Sequence, residues 1–467
     1  MKRIYWALRR ATCRPCGIGL GTVGLALWLG SSPASRAADS LLWRTNDNQV
    51  TADIRSTTLP KVLQKVAAST GWEVFLEPGI TRTVSAKFSN LAPGEALRLL
   101  LGDLNFALLP DQGNKPRLFV FRTTMQHATE LVRAEKPGQS KLIPNELIVR
   151  LKPGAKIDEL ARQLGAKVLG RMTNSNAYLL EFQDAATANT AREQLGANPD
   201  VAAIDNNYFI ERPPQPGDVA ATSVPPVQLK LNPPPSNGRV IVGLVDTAVQ
   251  PLGGGLDSFL LKPISVAGPS QLDPTEPSHG TSMAETILRS VQDITKGASS
   301  VQILPVDVYG PNPETTTFDV ANGIAQAVNN GATIVNLSLG SDSDSPFLHS
   351  VIQDASAQKI VMIGAAGNTP VTSPTFPAAY SEVMAVTAVD QGQIAPYANR
   401  GSFVSLGAPG TSVVYYDNQP YYVVGTSAAA AFTTGMAAGY MDSTHNGADK
   451  TQAFIRENFG LKPATGP

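Results

Sequence analysis

Of the 467 residues, two are cysteine, Cys13 and Cys16, and both fall within the first 37. Their C-x-x-C spacing is the one used in redox and metal motifs. Here it lies inside a stretch that reads as an export signal, where it is a coincidence of composition. A mature chain starting near Ala38 has no cysteine, which excludes disulfides and thiol catalysis. Histidine is also scarce, at four residues: His127, His279, His349 and His445. The net charge is -1, which argues against a nucleic-acid binder at the level of the whole chain. Long apolar runs are missing as well. Residues 17–30 are uncharged and rich in Gly and Leu, but they fall short of the ~20 apolar residues that span a membrane comfortably.

The charge that is present is unevenly spread. Residues 1–37 hold 6 basic and no acidic residues, and from Gly238 onward there are 9 basic against 18 acidic, a net of -9. The acidic half suits either a structural calcium ion or a plain solvated surface. At the N-terminus, Lys2, Arg3, Arg9, Arg10 and Arg14 precede the uncharged stretch, and Ser35, Arg36 and Ala37 offer small residues at the outer positions of a cleavage site. This is the layout of a signal peptide over 1–37. The alternative is an uncleaved anchor. The signal reading makes the protein exported, periplasmic or secreted. Length sets two to four domains at ~100–200 residues each, and 42% hydrophobic residues give every part material for a core.

Four stretches follow the signal. Residues 49–125 predict a small α+β domain. Apolar residues at 59, 62, 63, 66 and 67 mark one helix face,, 95–101 mark a second helix, and 74–76 and 117–121 read as strands. The runs STTLPKVLQKVAASTGWEVF and LAPGEALRLLLGDLNFALL resemble the short N-terminal domain of secretins and TonB-dependent signalling receptors. That resemblance implies an envelope protein as partner. Residues 145–212 read strand-helix-strand-strand-helix-strand, a ferredoxin-like order. Residues 213–237 carry eight prolines and predict an extended, protease-sensitive linker. From 238 to 460, continuous apolar runs alternate with helical stretches. Such runs predict strands buried on both faces in a doubly wound, mostly parallel α/β domain. The fold class is therefore α/β, preceded by two small α+β domains.

Three residues of this last domain stand where such folds do chemistry. Asp246 follows the first apolar run directly, where a carboxylate can orient an imidazole. His279 stands in SHGTSMA, at the apparent start of a helix over 282–291. Ser427 stands in GTSAAAA, opening a helix of small residues whose free N–H groups favour developing negative charge. Asn368 ends IGAAGN after another buried strand, where an amide can donate to an oxyanion. Taken singly, each has a plain structural reading: a solvated Asp, a helix-start His, an N-cap Ser, a Gly-Asn turn.

Taken together, in the order Asp, His, Asn, Ser with separations of 33, 89 and 59 residues, they resemble the subtilisin-like serine proteases. In that family the triad runs along the chain as Asp, then His, then Ser. The resemblance covers about 238–445 and includes FPAA at 376–379, VTAV at 386–389 and APG at 408–410. It implies Asp246, His279 and Ser427 as the triad and Asn368 as oxyanion donor. It also implies that Ser338, Leu339 and Gly340 form one wall of the substrate cleft, with Ala365, Ala366 and Gly367 opposite. The substrates would be proteins or peptides, and the chemistry needs no cofactor. The family's propeptides are similar in position and element order to 145–212, which implies an intramolecular inhibitor and self-cleavage between about 210 and 238. Two departures stand out. Ala248 replaces the glycine usual after Asp-Thr, and Ala431-Phe432 occupy the stretch after the serine where a proline is usual. They leave room for a weak protease or for an inactive envelope scaffold.

Overall fold

The computed structural model describes residues 40–44, 49–80, 82–109, 116–132, 141–213, 217–218, 229–232, 240–369, 371–417 and 419–461. The expected signal (1–37) and most of the Pro-rich linker lie outside them.

The first unit packs helices Leu59–Thr70 and Pro93–Leu101 against two small sheets. Leu59, Val62, Leu63 and Val66, the apolar helix face read from the sequence, are fully buried with Val74, Leu100 and Leu118. The strands Ser40–Arg44 and Glu130–Val132 lie beyond 49–125 yet pair inside the unit, with Gln49–Thr58 and Glu73–Leu76 respectively.

The second unit has strands Leu142–Leu151, Lys167–Met172, Ala177–Glu181 and Val201–Glu211 with helices Ile157–Leu164 and Ala185–Gly196. The last strand pairs with the first, the first with the third, and the third with the second, all antiparallel. This is the ferredoxin-like arrangement. Its own helices cover one face around Val149, Leu180 and Phe182.

The third unit is an eight-stranded sheet whose long strands are all parallel. The strand Ile241–Asp246 lies between Gln302–Asp307 and Ile334–Leu337. The chain winds outward in one direction from it and then in the other, so a crevice opens at its carboxyl end, the place where such sheets bind ligands. Helices His279–Thr295 and Thr426–Thr444 cover one face, with Met283, Ile287, Ala428 and Ala431 buried. The small residues of the second helix allow close packing. A Cβ on Gly435 would lie 2.3 Å from the Ile287 carbonyl oxygen. Among the described residues, no helix is long and apolar enough to cross a membrane.

Helices Thr317–Asn329 and Pro346–Ala357 cover the other face, and the sheet of the second unit lies on top of them. Ile148, Met172, Leu179 and Ile210 share one core with Phe318 and Phe347. Polar groups of the second unit cap both helices. The Asn207 Oδ1 accepts from Phe318 N at 3.1 Å and from Thr317 Oγ1 at 3.0 Å. The Asp205 carboxylate accepts from Phe347 N at 2.6 Å and from Ser345 Oγ at 3.2 Å. Free N–H groups and the helix dipole make a helix start a good seat for a carboxylate or amide oxygen. Residues Phe209–Glu211 then add to the edge strand Glu314–Thr316.

Beside this junction, Asp319 completes the cap of its helix. Its N–H donates to Thr316 Oγ1 at 3.1 Å, and the Thr316 hydroxyl donates back to its carboxylate at 2.9 Å. Burial outweighs that bond and pushes the Asp319 carboxyl up to about 6, from an ordinary 3.8. A carboxyl raised on folding contributes stability that is complete below its unfolded pKa and is lost as pH rises through the folded one. Asp319→Asn keeps an acceptor for Thr316 and carries no charge. In a Ser427→Ala background, its melting temperature is expected to match the parent at about pH 3.5 and to exceed it at about pH 8. Equal melting curves at the higher pH would overturn this reading of Asp319.

Candidate active site

Asp246 ends its strand fully buried, with no exposed surface. Its Oδ1 accepts from the Thr247 N–H at 2.7 Å. The His279 Nδ1 lies 2.8 Å from Oδ1 and 3.0 Å from Oδ2. A carboxylate at that distance holds the proton on Nδ1 and leaves Nε2 as the basic nitrogen. His279 opens its helix three residues earlier than the apolar pattern predicts, because Ser278 caps it by accepting from Thr281 N at 3.0 Å.

The helix start is held against the strand end by close contact. The Gly280 N–H donates to Thr247 Oγ1 at 2.8 Å, and a Cβ on Gly280 would lie 2.2 Å from the Thr247 carbonyl oxygen. Gln250, which no sequence motif singles out, ties the same parts together. Its Oε1 accepts from Ser278 N at 2.6 Å and Thr281 Oγ1 at 2.8 Å. Its Nε2 donates to the carbonyls of Asp273 at 2.7 Å and Glu276 at 2.9 Å. Ala248 is not among the residues with positive φ, so the backbone here accommodates a side chain where the family usually has glycine.

Ser427 is the second residue of its helix and is 8% exposed. Its hydroxyl donates to the Ser338 carbonyl at 3.4 Å, and Ser338 Oγ donates to the Ser427 carbonyl at 3.3 Å. Asn336, fully buried, fixes Ser338 Oγ from below at 2.9 Å and accepts from Thr434 Oγ1 at 2.9 Å. Among the described residues, no hydrogen bond joins Ser427 to His279. Ala431 occupies the expected proline position, fully buried in an unbroken helix.

Asn368 lies against the Gly425–Thr426 turn. Its Oδ1 accepts from Thr426 N at 2.8 Å and from Thr426 Oγ1 at 3.1 Å. Those bonds fix the amide and leave Nδ2 as the group turned to other partners. Both expected cleft walls are tied to residues at Ser427, one through Ser338 and the other through the Gly367 N–H, which donates to Thr426 Oγ1 at 2.9 Å. Leu339 and Ala366 are buried, and Gly340 abuts the Phe376 carbonyl, 2.8 Å from where its Cβ would stand. Ala365 is also buried.

A second residue without a sequence motif, Asn399, builds the loop that carries Asn368. Its Nδ2 donates to the Ala366 carbonyl at 2.8 Å and to Thr375 Oγ1 at 2.9 Å, and its Oδ1 accepts from Thr369 N at 2.9 Å. Nothing local in the sequence signals this role, since its partners lie 24 to 33 residues away. Among the described residues, no group of three His, Cys, Asp or Glu side chains converges, so a structural calcium would have to rest chiefly on carbonyl and hydroxyl oxygens.

A buried carboxylate after the first strand, a histidine opening one helix and a serine opening its neighbour, on a doubly wound parallel sheet, make a subtilisin-like architecture. Residues 237–457 match the subtilase family, and residues 128–207 match the fervidolysin N-terminal prodomain. The thermostable alkaline protease of Halalkalibacterium halodurans is 38% identical over 186 residues, covering 38% of this chain and 52% of that protein. Subtilisin BL of Lederbergia lenta is 33% identical over 186 residues, covering 38% of this chain and 69% of that protein. The solved structure of the epidermin leader peptide processing serine protease from Staphylococcus aureus superimposes with a TM-score of 0.52 at 16% identity, covering 69% of this chain and 94% of that one. The chain belongs to the subtilase family and carries a fervidolysin-type prodomain. It spans about half the length of the curated relatives it first matches.

The Asn399 network generates a test. Asn399→Ala removes three bonds from the loop that carries Asn368. With Asn368 in the oxyanion role expected from the sequence, a displacement of about 1 Å costs on the order of 100-fold, so hydrolysis of a peptide substrate is expected to fall by roughly 10- to 100-fold, mainly in kcat. An unchanged kcat would show that the loop holds its shape without Asn399.

Proposed function

We propose that the protein is an exported serine endopeptidase made as a self-processing zymogen. The observation that carries this reading is the buried Asp246–His279 pair at 2.8 Å, set at the open end of the sheet beside a serine at a helix N-terminus. In this mechanism Ser427 Oγ attacks the scissile carbonyl while His279 Nε2 takes its proton. The tetrahedral oxyanion is held by Asn368 Nδ2 and the Ser427 N–H. Collapse breaks the C–N bond, His279 gives its proton to the leaving amine, and an acyl-enzyme remains. Water then enters with His279 as base, and the acid product leaves. Asp246 keeps the imidazole in the right tautomer and balances its charge while it is protonated. None of these roles calls for a cofactor.

The prodomain fits the role of an intramolecular inhibitor. It buries Ile210 against the protease domain and pairs Phe209–Glu211 with Glu314–Thr316. Further along, Gly217–Asp218 pairs with Tyr421 and Tyr422, just ahead of Ser427. The chain thus pairs with the protease domain at two separate strands, Glu314–Thr316 and Gln419–Val424, which supports a segment laid along the cleft. The substrates would be proteins or peptides of the envelope or the surroundings, reached after export under the 1–37 signal. The 49–125 domain, through its likeness to the secretin and TonB-receptor module, would dock an envelope protein. Periplasmic and secreted locations both suit this reading.

The deciding experiment is the intact mass of residues 38–467 beside its Ser427→Ala partner. The wild type is expected to shorten to a product that begins between about 211 and 238, while Ser427→Ala stays whole. Asn368→Ala is expected to slow the same conversion by about 10²- to 10³-fold, the cost of one oxyanion donor. Two uncut chains, together with no labelling of Ser427 by a serine-reactive fluorophosphonate, would favour an inactive scaffold.

A further inference from the structure

Arg212 follows the strand that ends the prodomain, and its side chain is received by the protease domain. Its Nε and Nη2 donate to the Asn312 carbonyl at 3.1 and 2.6 Å, and Nη2 also donates to the Gly310 carbonyl at 3.0 Å. The guanidinium lies over the Tyr309 ring, with Cζ 5.3 Å from the centroid. Its main-chain N–H donates to the Pro313 carbonyl at 3.1 Å. Each partner offers negative potential: two carbonyl oxygens and an aromatic face. Planar donors in a fixed fork suit such a set better than the compact ammonium of lysine.

The receiving loop is rigid. Asp307, buried beneath it, accepts from Tyr309 N at 2.9 Å and Gly310 N at 3.0 Å. Gly310 has φ +55, and a Cβ there would lie 2.3 Å from the Ala267 carbonyl oxygen, so glycine is required for the turn that aims its carbonyl at Arg212. Tyr309 has no exposed surface, and its hydroxyl donates to the Glu211 carbonyl at 3.1 Å. The loop also adjoins the triad, since Val308 N donates to the Asp246 carbonyl at 3.0 Å. Ile210, two residues before Arg212 and hence on the same side of an extended strand, is 1% exposed in a core shared with Leu339 and Phe318.

We propose that Tyr309, Gly310 and Asn312 form an arginine subsite, filled by Arg212 in the uncut chain and by a substrate arginine after the prodomain leaves. The inference rests on the protease reading above and narrows its substrates to peptides with an aliphatic-x-Arg sequence on the acyl side of the cut bond. Two sockets, one apolar and one that receives a cation, then select the substrate, while main-chain pairing with 314–316 aligns it.

The test uses the wild-type full chain after processing. A pool of unstructured peptides is digested and the cut sites are read by mass spectrometry. Arginine is expected to be enriched at one fixed position on the acyl side, with Ile, Leu or Val two residues earlier. A peptide pair differing only by Arg→Ala at that position is expected to differ by about tenfold or more in kcat/KM, the scale of hydrogen bonds to a charged group. Replacing that Arg by citrulline, which keeps the shape and loses the charge, is expected to lose most of the preference. Cutting with no arginine preference at any acyl-side position would overturn the subsite and leave the protease reading intact. No cutting of any peptide or of casein would overturn both.

Discussion

The contact between Gly280 and the Thr247 carbonyl fixes the geometry on which the site depends. With no room for a side chain between helix and strand, the histidine that precedes Gly280 is brought over the aspartate that precedes Thr247. Two short bonds to one carboxylate then define the imidazole's orientation. Full burial of Asp246 removes water as a competitor for that carboxylate, which strengthens the pair. Gln250 adds a brace in which each polar atom of its amide has a protein partner, as burial at 4% exposure requires,.

The same economy governs helix ends across the protein. Each helix leaves its first N–H groups without an internal partner. At 427 the proposed function gives those groups an oxyanion to hold. At 317 and 346 they face the prodomain. Thr316 and Ser345 cap their own helices by accepting from Asp319 N and Leu348 N. The prodomain reaches the next donors, Phe318 N and Phe347 N, with Asn207 and Asp205. Its release would hand those donors back to water at modest cost. The tighter hold is apolar, through Ile148, Leu179 and Ile210 against Phe318 and Phe347. A docking surface built this way is stable in the zymogen and leaves two soluble, self-capped helices behind.

Much of this is legible in the sequence where the signal is local. The buried parallel strands read as apolar runs, because strands covered on both faces need no alternation. The Ile157–Leu164 helix and the face of the Leu59–Thr70 helix follow from spacing. The Asp246, His279, Asn368 and Ser427 blocks stand out through their joint order and spacing rather than singly, and the structure brings Asp246 and His279 together. What the sequence hides is nonlocal. The strands Ser40–Arg44 and Glu130–Val132 are short and owe their form to partners elsewhere in the unit. Gln250 and Asn399 carry their roles through side-chain bonds to segments at least 23 residues away, and in one case 166,. The apolar pattern starts the helix at His279 too late because its first turn, HGT, holds poor helix formers, and the Ser278 cap and the Thr247 contact compensate for them.

Main-chain pairing along a cleft is blind to sequence, because every residue but proline offers the same N–H and carbonyl groups. An edge strand of three residues, Glu314–Thr316, therefore aligns any extended chain laid against it, the prodomain's included. Discrimination has to come from side chains that leave the ladder. At Phe209–Arg212 they do so unequally. Phe209 is exposed, Ile210 is sunk in a shared core, and Arg212 is gripped by two carbonyls and a ring. With the proposed arginine subsite, the prodomain's hold and the enzyme's selectivity would be set by the same sockets. A chain that fitted both would reside longest in the cleft, and one that fitted neither would be held only by the ladder. After Arg212 the sequence continues Pro213, Pro214, Gln215, Pro216, and a proline nitrogen carries no N–H, so this stretch offers few main-chain donors for any ladder.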